Sequence, residues 1–244
     1  MTLLSGLQIG LNAIYPSRCL TCGTVVDGDF GLCGPCWRET AFIGGTVCDA
    51  CGVPLPGADG GDTPHCDGCL KSPRPWSRGR AALLYRDTGR KLILALKHGD
   101  RQEIARPAGL WLSHAAEDIL TQNTLIAPVP LHWLRMIKRR YNQSALLAKA
   151  LSNKVDRPWS PDLLQRFRHT RSLDGMGREE RIVAVENAIR VHPRRRHRLI
   201  GRPVLLVDDV MTTGATLSAC ARACLEAGSG PVSIVTLARA GKDT

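Results

Sequence analysis

The run VLLVDDVMTTGAT, residues 204–216, is the part of the sequence that determines the fold. Its first four residues are aliphatic, which is typical of a strand buried on both faces of a sheet. Two carboxylates, Asp208 and Asp209, follow directly, and a turn rich in threonine and glycine comes next. We predict a helix from Ala215, so the run forms a strand–turn–helix unit of an α/β sheet.

The sequence on both sides of this unit continues the alternation of strands and helices. Apolar runs predict strands at 80–85, 124–130, 202–210 and 231–238, and helical patterns predict helices at 88–98, 101–121, 143–153 and 215–227. Apolar strands that alternate with helices indicate a parallel sheet covered on both faces. In such sheets ligands bind at the carboxyl ends of the strands, and Asp208 and Asp209 lie at such an end.

The turn after the two aspartates has the chemistry of an anion site. Backbone N–H groups at a helix N-terminus attract anions, and glycine at 214 lets the backbone approach a phosphate closely. Hydroxyl groups add further donors, those of Thr212, Thr213 and Thr216. Asp208 and Asp209 would repel a phosphate, but they accept hydrogen bonds from sugar hydroxyls and help to hold a magnesium-bound ligand. The stretch therefore predicts a site for a ribose 5-phosphate group.

Eight cysteines before residue 70 form four Cys-x-x-Cys pairs. They are Cys19/Cys22, Cys33/Cys36, Cys48/Cys51 and Cys66/Cys69. Each pair supplies two thiolates from one tight turn, and two pairs complete a tetrahedral zinc site. Because the segment has few large apolar residues, we predict two structural zinc ions that hold it together. Sequential pairing is the simplest arrangement, but cross-braced pairing has the same spacing and stays open.

Charge and composition divide the chain near residue 75. The whole chain carries a net charge of +11, with −5 on residues 1–70 and therefore +16 on residues 71–244. The proline-rich KSPRPWSRGR at 71–80 marks the change. We predict a short N-terminal helix and a double zinc ribbon in 1–74 and an α/β domain in 75–244. An acidic ribbon repels phosphate backbones, so DNA contact is expected on the basic domain.

The sequence also predicts where the protein is found. No stretch approaches the roughly 18 uninterrupted apolar residues of a membrane span. The N-terminus lacks the basic region of a secretory signal. We therefore expect a cytoplasmic protein without a membrane span. Thiols stay reduced in that compartment, which favours zinc over the alternative of disulfides.

The run at 204–216 closely resembles the phosphoribosyl-diphosphate (PRPP) motif of type I phosphoribosyltransferases. Together with the zinc ribbons, nearly the whole chain resembles the ComF family of competence-associated phosphoribosyltransferase-like proteins. This resemblance implies a type I phosphoribosyltransferase-like parallel sheet flanked by helices. It implies that Asp208 and Asp209 hold the ribose hydroxyls and act in catalysis. The residues implied to wrap the 5-phosphate are Met211, Thr212, Thr213, Gly214, Ala215 and Thr216.

Two further loops carry the resemblance. The stretch PVPLHWLRMIKRRYNQS (128–144) matches the loop on the pyrophosphate side, whose PRPP-binding residues are then Arg135, Arg139, Asn142 and Gln143. The stretch 166–189 resembles the flexible loop that closes over PRPP, through Arg168, Thr170, Arg171, Arg178, Arg181 and Asn187. The chain departs from the family at Arg140, where glycine is usual, and at Leu173, where glutamine is usual.

The resemblance leaves two functions of different classes open. In the first, an enzyme transfers ribose 5-phosphate from PRPP to an unknown nitrogen acceptor, with Mg²⁺ on the leaving pyrophosphate. In the second, a non-catalytic module of natural transformation senses PRPP or handles single-stranded DNA. A DNA-translocating ATPase, which the family context suggests, is a candidate partner of the acidic ribbon. The candidate DNA contacts are the arginines at 135, 139, 140, 168, 171 and 194–196, with Trp133 and Tyr141 as stacking side chains.

Residues outside the motifs give two smaller predictions. Lys97 and His98 lie at a predicted helix end, where a cation is favoured, and they are candidate phosphate contacts. Cys220 and Cys224 are one turn apart on the helix after the phosphate turn, and we predict that both are small core residues.

Overall fold

A four-stranded parallel sheet forms the centre of the molecule. The computed structural model describes residues 16–27, 31–57, 64–98, 100–131, 136, 140–167 and 188–241. The sheet strands are β1 (Arg78–Leu84), β2 (Leu125–Pro128), β5 (Val204–Met211) and β6 (Val232–Arg239). Their order is β1-β6-β5-β2, and all three pairings are parallel. A separate antiparallel pair joins β3 (Leu164–Arg166) to β4 (Ile189–Val191).

Six α-helices accompany these strands in the described residues. They are α1 (Gly34–Glu39), α2 (Asp67–Lys71), α3 (Asp87–His98), α4 (Ala105–Ala115), α5 (Gln143–Val155) and α6 (Ala215–Glu226). Short 3₁₀ turns are formed by Gln102–Ile104, Glu117–Ile119 and Pro193–Arg198. No helix in this part of the chain is long and apolar enough to cross a membrane.

Strand β5 is buried on both faces, as its aliphatic run predicts. Val204 and Leu206 pack with α6 in one core, whereas Leu205 and Val207 pack with α3, α4 and α5 in another. All four side chains are almost fully buried. Burial of a side chain of this size contributes about 1.5–3 kcal/mol. The strand is thus fixed between two layers of helices, and its carboxyl end is held in one place.

The sequence predictions of the sheet are confirmed, and one helix differs. All four predicted strands are present, with bounds within two residues of those predicted. The helix predicted at 101–121 is wrong in extent, because only Ala105–Ala115 is α-helical and 3₁₀ turns flank it. Pro107 accounts for the late start: in a helix from 101 its missing N–H would break an interior hydrogen bond, whereas here it falls in the first turn. The β3–β4 pair was not predicted.

The zinc-ribbon segment pairs with the outer edge of the sheet. Phe42 forms an antiparallel bridge with Leu83 of β1. The N–H of Ile43 donates to the oxygen of Ala82 at 2.9 Å, and the N–H of Leu84 donates to the oxygen of Ala41 at 2.9 Å. An unpaired edge strand is prone to pair with other chains. Here the ribbon covers that edge.

Side chains of the ribbon continue into both cores. Cys19 and Leu20 belong to the core of α3, α4 and α5, and Cys48 and Cys51 belong to the core of α6. Asp49 makes ion pairs with two arginines of β1, at 2.9 Å and 2.8 Å. Although burial acts to raise it, these arginines hold the pKa of Asp49 below its ordinary value. The ribbon and the sheet therefore meet through apolar and ionic contacts.

The division of the chain into a ribbon domain that ends at 74 and an α/β domain that begins at 75 stays a prediction.

Candidate functional site

The first carboxylate of the site is Asp208, at the carboxyl end of β5. The hydroxyl of Ser144 donates a 2.8 Å hydrogen bond to Asp208 Oδ1, and the N–H of Asp209 donates to the same oxygen at 2.9 Å. Burial, together with the nearby charge of Asp209, raises the pKa of Asp208 to about 7. Asp208 can therefore gain or lose a proton close to neutral pH, which is the property required of a general acid or base.

The second carboxylate, Asp209, is paired with a lysine. Lys97 Nζ lies 3.1 Å from Asp209 Oδ1, and Asp209 is only 8% exposed. Lys97 is in the last turn of α3. This helix packs on the face of β5 that carries Leu205 and Val207, and Asp209 lies on the same face. The sequence predicted a phosphate contact for Lys97, but in the structure its described partner is this carboxylate.

The turn after β5 brings glycine to the start of α6. Gly214 has a φ of +82°, the left-handed conformation in which glycine is favoured. A Cβ at this position would lie 2.8 Å from Met211 Cε and 3.2 Å from Trp76 Cη2. The N–H groups that begin α6 have no acceptors within the helix and form an anion-binding end. Thr212 is exposed, and Thr213 and Thr216 are half-buried.

The loop predicted to face the pyrophosphate is described only in part. Arg135 and Arg139 lie outside the described residues. Asn142 caps α5: its side-chain oxygen accepts from the N–H of Ser144 at 3.0 Å, and its amide nitrogen donates to the oxygen of Val129 at 3.0 Å. Gln143 is 1% exposed at the start of α5. The Asn-Gln pair thus joins the end of β2 to the helix that carries Ser144.

Arg140, where the family has glycine, keeps the conformation that glycine favours. Its φ is +64°, in the left-handed region. Its guanidinium lies 3.6 Å from an oxygen of Asp100 and is largely exposed. Tyr141, the next residue, donates its hydroxyl to the oxygen of Leu96 at 2.6 Å and is half-buried. Arg140 thus takes a left-handed backbone conformation, which glycine adopts more readily than arginine.

The residues predicted for the flexible loop lie outside the described residues. They are Arg168, Thr170, Arg171, Arg178, Arg181 and Asn187, all within 168–187. The two flanks of that segment are described and paired, since Arg166 of β3 lies opposite Ile189 of β4. The β3–β4 pair thus brings the two ends of the predicted loop together.

The eight cysteines of the ribbon form two clusters. Cys19, Cys22, Cys33 and Cys36 make the first site, and Cys48, Cys51, Cys66 and Cys69 make the second. Within each site all sulfur atoms lie within 4.8 Å of one another. The Cys22–Cys33 and Cys51–Cys66 sulfur distances are 3.6 and 3.7 Å, close to the ~3.8 Å edge of a tetrahedron with zinc–sulfur bonds of about 2.3 Å. These are two four-cysteine zinc sites in the sequential arrangement, which the spacing had left open beside a cross-braced one.

The cysteines outside the ribbon are structural. Cys220 and Cys224 on α6 are fully buried, as predicted. Burial raises the pKa of the Cys224 thiol to about 12 and that of Cys220 well above its ordinary value. Both thiols stay protonated at neutral pH and behave as small apolar side chains.

Comparison with known proteins agrees with this architecture. Residues 10–72 match the double zinc ribbon domain, and residues 142–244 match the phosphoribosyl transferase domain. DNA utilization protein YhgH of Escherichia coli K12 is 32% identical over 92% of this chain and 97% of its own length. Competence protein F of Haemophilus influenzae is 30% identical over 91% and 97%. Competence protein ComFC of Bacillus subtilis is 26% identical over 86% and 85%.

The fold and the two metal sites define a phosphoribosyltransferase-like protein that carries a double zinc ribbon. The ribbon model and the phosphoribosyl transferase model match separate parts of one chain, and its relatives align with it over most of their length. The chain belongs to the ComF family.

Proposed function

We propose that this protein binds PRPP with Mg²⁺ at the end of β5 and transfers its ribose 5-phosphate group to a nitrogen acceptor. One observation carries the proposal: two adjacent carboxylates, Asp208 and Asp209, lie near the carboxyl end of a buried strand, and a left-handed Gly214 caps the next helix. This arrangement offers acceptors for sugar hydroxyls beside donors for a phosphate.

The 5-phosphate would lie at the start of α6. There the first N–H groups of the helix and the hydroxyls of Thr212, Thr213 and Thr216 supply donors. Asp208 and Asp209 would accept hydrogen bonds from the ribose hydroxyls. Lys97 balances the charge of Asp209 at 3.1 Å, which lessens repulsion between that carboxylate and the phosphate.

Mg²⁺ fits the chemistry of this site, because it prefers oxygen ligands and the carboxylate of Asp209 lies beside the place proposed for the sugar. When bound with PRPP, the ion would offset the charge of the leaving pyrophosphate. In the transfer, the nitrogen forms a bond to the anomeric carbon as the bond from that carbon to a pyrophosphate oxygen breaks. Pyrophosphate leaves with the electron pair. The proton of the nucleophile passes to Asp208, whose raised pKa suits it to accept one near pH 7.

Pyrophosphate release tests the enzymatic proposal. The intact protein is incubated with PRPP and Mg²⁺ and with a panel of bases, amines and short oligonucleotides. We expect release that depends on one acceptor and falls at least about 100-fold when Asp208→Asn removes the proton acceptor. PRPP binding without release for any acceptor would instead support a PRPP sensor. No binding of PRPP would contradict both.

A second function, handling of single-stranded DNA, has an observation of its own. Phe167 is 44% exposed at the end of β3, and the guanidinium of Arg190 on β4 lies 4.9 Å from the centroid of its ring. Exposed aromatic and guanidinium planes are surfaces on which unpaired bases stack. Two of the predicted DNA-contacting arginines at 194–196 already have partners within the protein. Arg195 forms an ion pair with Asp162 at 2.8 Å, and Arg196 donates to a backbone oxygen.

Oligonucleotide binding by the full chain separates the two functions. We expect Phe167→Ala and Arg190→Gln to weaken single-strand binding, with affinity that falls steeply with salt. Competition by PRPP would indicate one cleft for both ligands. Equal affinity of both variants and the parent would remove this surface from consideration.

The names of the relatives refer to competence and to DNA utilization, which supports a role in DNA uptake. Our proposal includes a cytoplasmic location and a DNA-translocating ATPase as a partner.

A further inference from the structure

Two arginines lie between the second zinc site and the turn that follows β5. Arg239 is the last residue of β6, and Arg74 lies in the segment that joins the ribbon to β1. Both side chains reach the backbone of residues 211–213 from the side of the ribbon. Neither arginine was singled out by the sequence.

Arg239 contacts two consecutive carbonyls of the turn, the carbonyl of Ala240 and one zinc ligand. Its Nη1 donates to the oxygen of Met211 at 3.0 Å and to the oxygen of Thr212 at 2.9 Å. Its Nη2 lies 3.9 Å from the sulfur of Cys51. The residue is only 9% exposed, so its charge depends on these partners rather than on water.

Arg74 contacts the next carbonyl of the turn. Its Nη1 donates to the oxygen of Thr213 at 2.8 Å, and its side chain lies near the thiol of Cys69. Its guanidinium also lies 5.6 Å from the ring centroid of Trp76. The indole of Trp76 donates to the oxygen of Ala50, between two cysteines of the second site, at 2.6 Å. Three consecutive carbonyls thus face guanidiniums that the second zinc site holds.

The direction of these carbonyls matters for an anion site. A turn that binds phosphate must direct its N–H groups at the ligand and its carbonyl oxygens away from it. The arginines hold the oxygens of Thr212 and Thr213 on the ribbon side, and the oxygen of Met211 also accepts from the N–H of Ala240 at 3.0 Å. A peptide that accepts a hydrogen bond is polarised, which strengthens its own N–H as a donor. The two positive charges behind the turn also favour a phosphate in front of it.

The two zinc sites differ in this respect. The second site shares its core with Met211 and Ala215 at the two ends of the turn. The first site shares its core with α3, α4 and α5, on the other face of the sheet. Zinc keeps cysteine ligands as thiolates, so in the second site it supplies negative sulfur atoms to both guanidiniums.

We propose that Arg74 and Arg239 are positioning residues through which the second zinc site sets the affinity of the turn 211–216 for a phosphate group. With zinc bound, the thiolates of the second site would attract the two guanidiniums and fix their positions. The guanidiniums donate hydrogen bonds to the carbonyl oxygens of the turn, so the N–H groups of the turn point towards the ligand. The choice of PRPP as that ligand rests on the proposed function. The effect of the two arginines on the backbone of the turn does not.

The first experiment removes the guanidiniums and keeps the zinc. Arg239→Met and Arg74→Met retain an apolar stem, and Arg78→Met is the matched control, because Arg78 binds Asp49 of the ribbon and not the turn. Each protein is first shown to hold two zinc ions. With PRPP and Mg²⁺ in calorimetry, we expect Kd to rise about tenfold or more in both test variants and less than about twofold in the control. Unchanged Kd in both zinc-loaded test variants would overturn the proposal.

The second experiment removes one ion at a time. Cys66→Ser and Cys33→Ser each remove the third ligand of a site, and neither residue is a described contact of Arg74 or Arg239. We expect Cys66→Ser to weaken PRPP binding at least about fivefold more than Cys33→Ser does. An equal loss would show that the ribbon acts only by general stabilisation, which contradicts the coupling.

Backbone order without ligand gives a readout that does not depend on PRPP. We expect the NMR order parameters of the N–H vectors of 212–216 to be lower in Arg239→Met, Arg74→Met and Cys66→Ser than in Arg78→Met and Cys33→Ser. If the parent binds no PRPP, the proposed function fails, and this comparison still decides the coupling. Equal order parameters in all five variants would overturn it.

Discussion

Ser144 and Asp208 are joined by a 2.8 Å hydrogen bond from the serine hydroxyl to the carboxylate, across 64 residues of sequence. The bond ties the N-terminal turn of α5 to the carboxyl end of β5. Asn142 caps the same turn, so the Asn-Gln-Ser triplet positions a catalytic candidate as well as a helix. The pKa of Asp208, raised to about 7 by burial and by Asp209, has consequences that can be measured.

Asp208→Asn is expected to stabilise the ligand-free protein at alkaline pH. The amide oxygen can still accept from Ser144 and from the N–H of Asp209, and no charge is buried. Because its folded pKa is raised, Asp208 contributes stability that is present below its unfolded pKa of about 4 and is lost as pH rises through about 7. The advantage of the variant in urea unfolding should therefore grow from pH 4 to pH 8.

Glu226→Gln at the exposed end of α6 is the matched control for that experiment, because it removes the same charge from an exposed position. Equal growth of the stability difference with pH in both variants would assign the effect to net charge and not to the burial of Asp208. An advantage of Asp208→Asn that is the same at pH 5 and at pH 8 would contradict the raised pKa.

Lys97→Met is expected to lower the free energy of unfolding by about 2 kcal/mol at pH 7, because it leaves the nearly buried charge of Asp209 without its partner. Lys91→Met, at an exposed position of the same helix, should change stability by less than about 0.5 kcal/mol. Chemical denaturation measures both. Restoration of stability in the double variant Lys97→Met/Asp209→Asn would identify the ion pair as the cause, and its absence would assign the loss to helix packing.

Gly214→Ala is expected to destabilise the protein by about 2 kcal/mol and to weaken phosphate binding. A left-handed φ costs a residue with a side chain about 1–2 kcal/mol, and the new Cβ would also lie 3.2 Å from the ring of Trp76 and 2.8 Å from the terminal methyl of Met211. Gly201→Ala separates the two causes, since Gly201 has a φ of +66° and open space around it. It should lose only the conformational part in thermal unfolding. Equal losses at the two positions would argue against crowding in the turn.

Sequential pairing of the cysteines predicts the metal content of a double variant. Cys22→Ser/Cys33→Ser removes two ligands of the first site only, so the purified protein should retain one zinc ion. In a cross-braced ribbon the same two changes would damage both sites and remove both ions. Elemental analysis or native mass spectrometry distinguishes these results.

Local patterns in the sequence were sufficient for the sheet, the two zinc sites and the turn after β5. Each of these depends on residues close together in the chain: a run of aliphatic residues, two cysteines in a turn, or a glycine before a helix. The helix predicted from 101 was too long, because Pro107 is tolerated in the first turn of a helix but not in its interior.

The partners of the carboxylates could not be predicted, because they come from distant elements. Lys97 is at the end of α3 and Ser144 at the start of α5, and no spacing rule relates either residue to β5. The same holds for Arg74 and Arg239, whose common position behind the turn depends on strand order. Ser144 alone had a local signal, since it directly follows the Asn-Gln pair.

The position of β6 bears on how the chain folds during synthesis. β6 lies between β1 and β5 although it follows both in sequence. Both strands therefore leave the ribosome before the strand that joins them, and one long side of β1 has no partner until residues 232–239 are made. The zinc sites need only local residues, so the ribbon can fold early and place residues 41–43 along the opposite side of β1. The ribbon can therefore cover one edge of β1 before the strand that pairs with its other edge has been made.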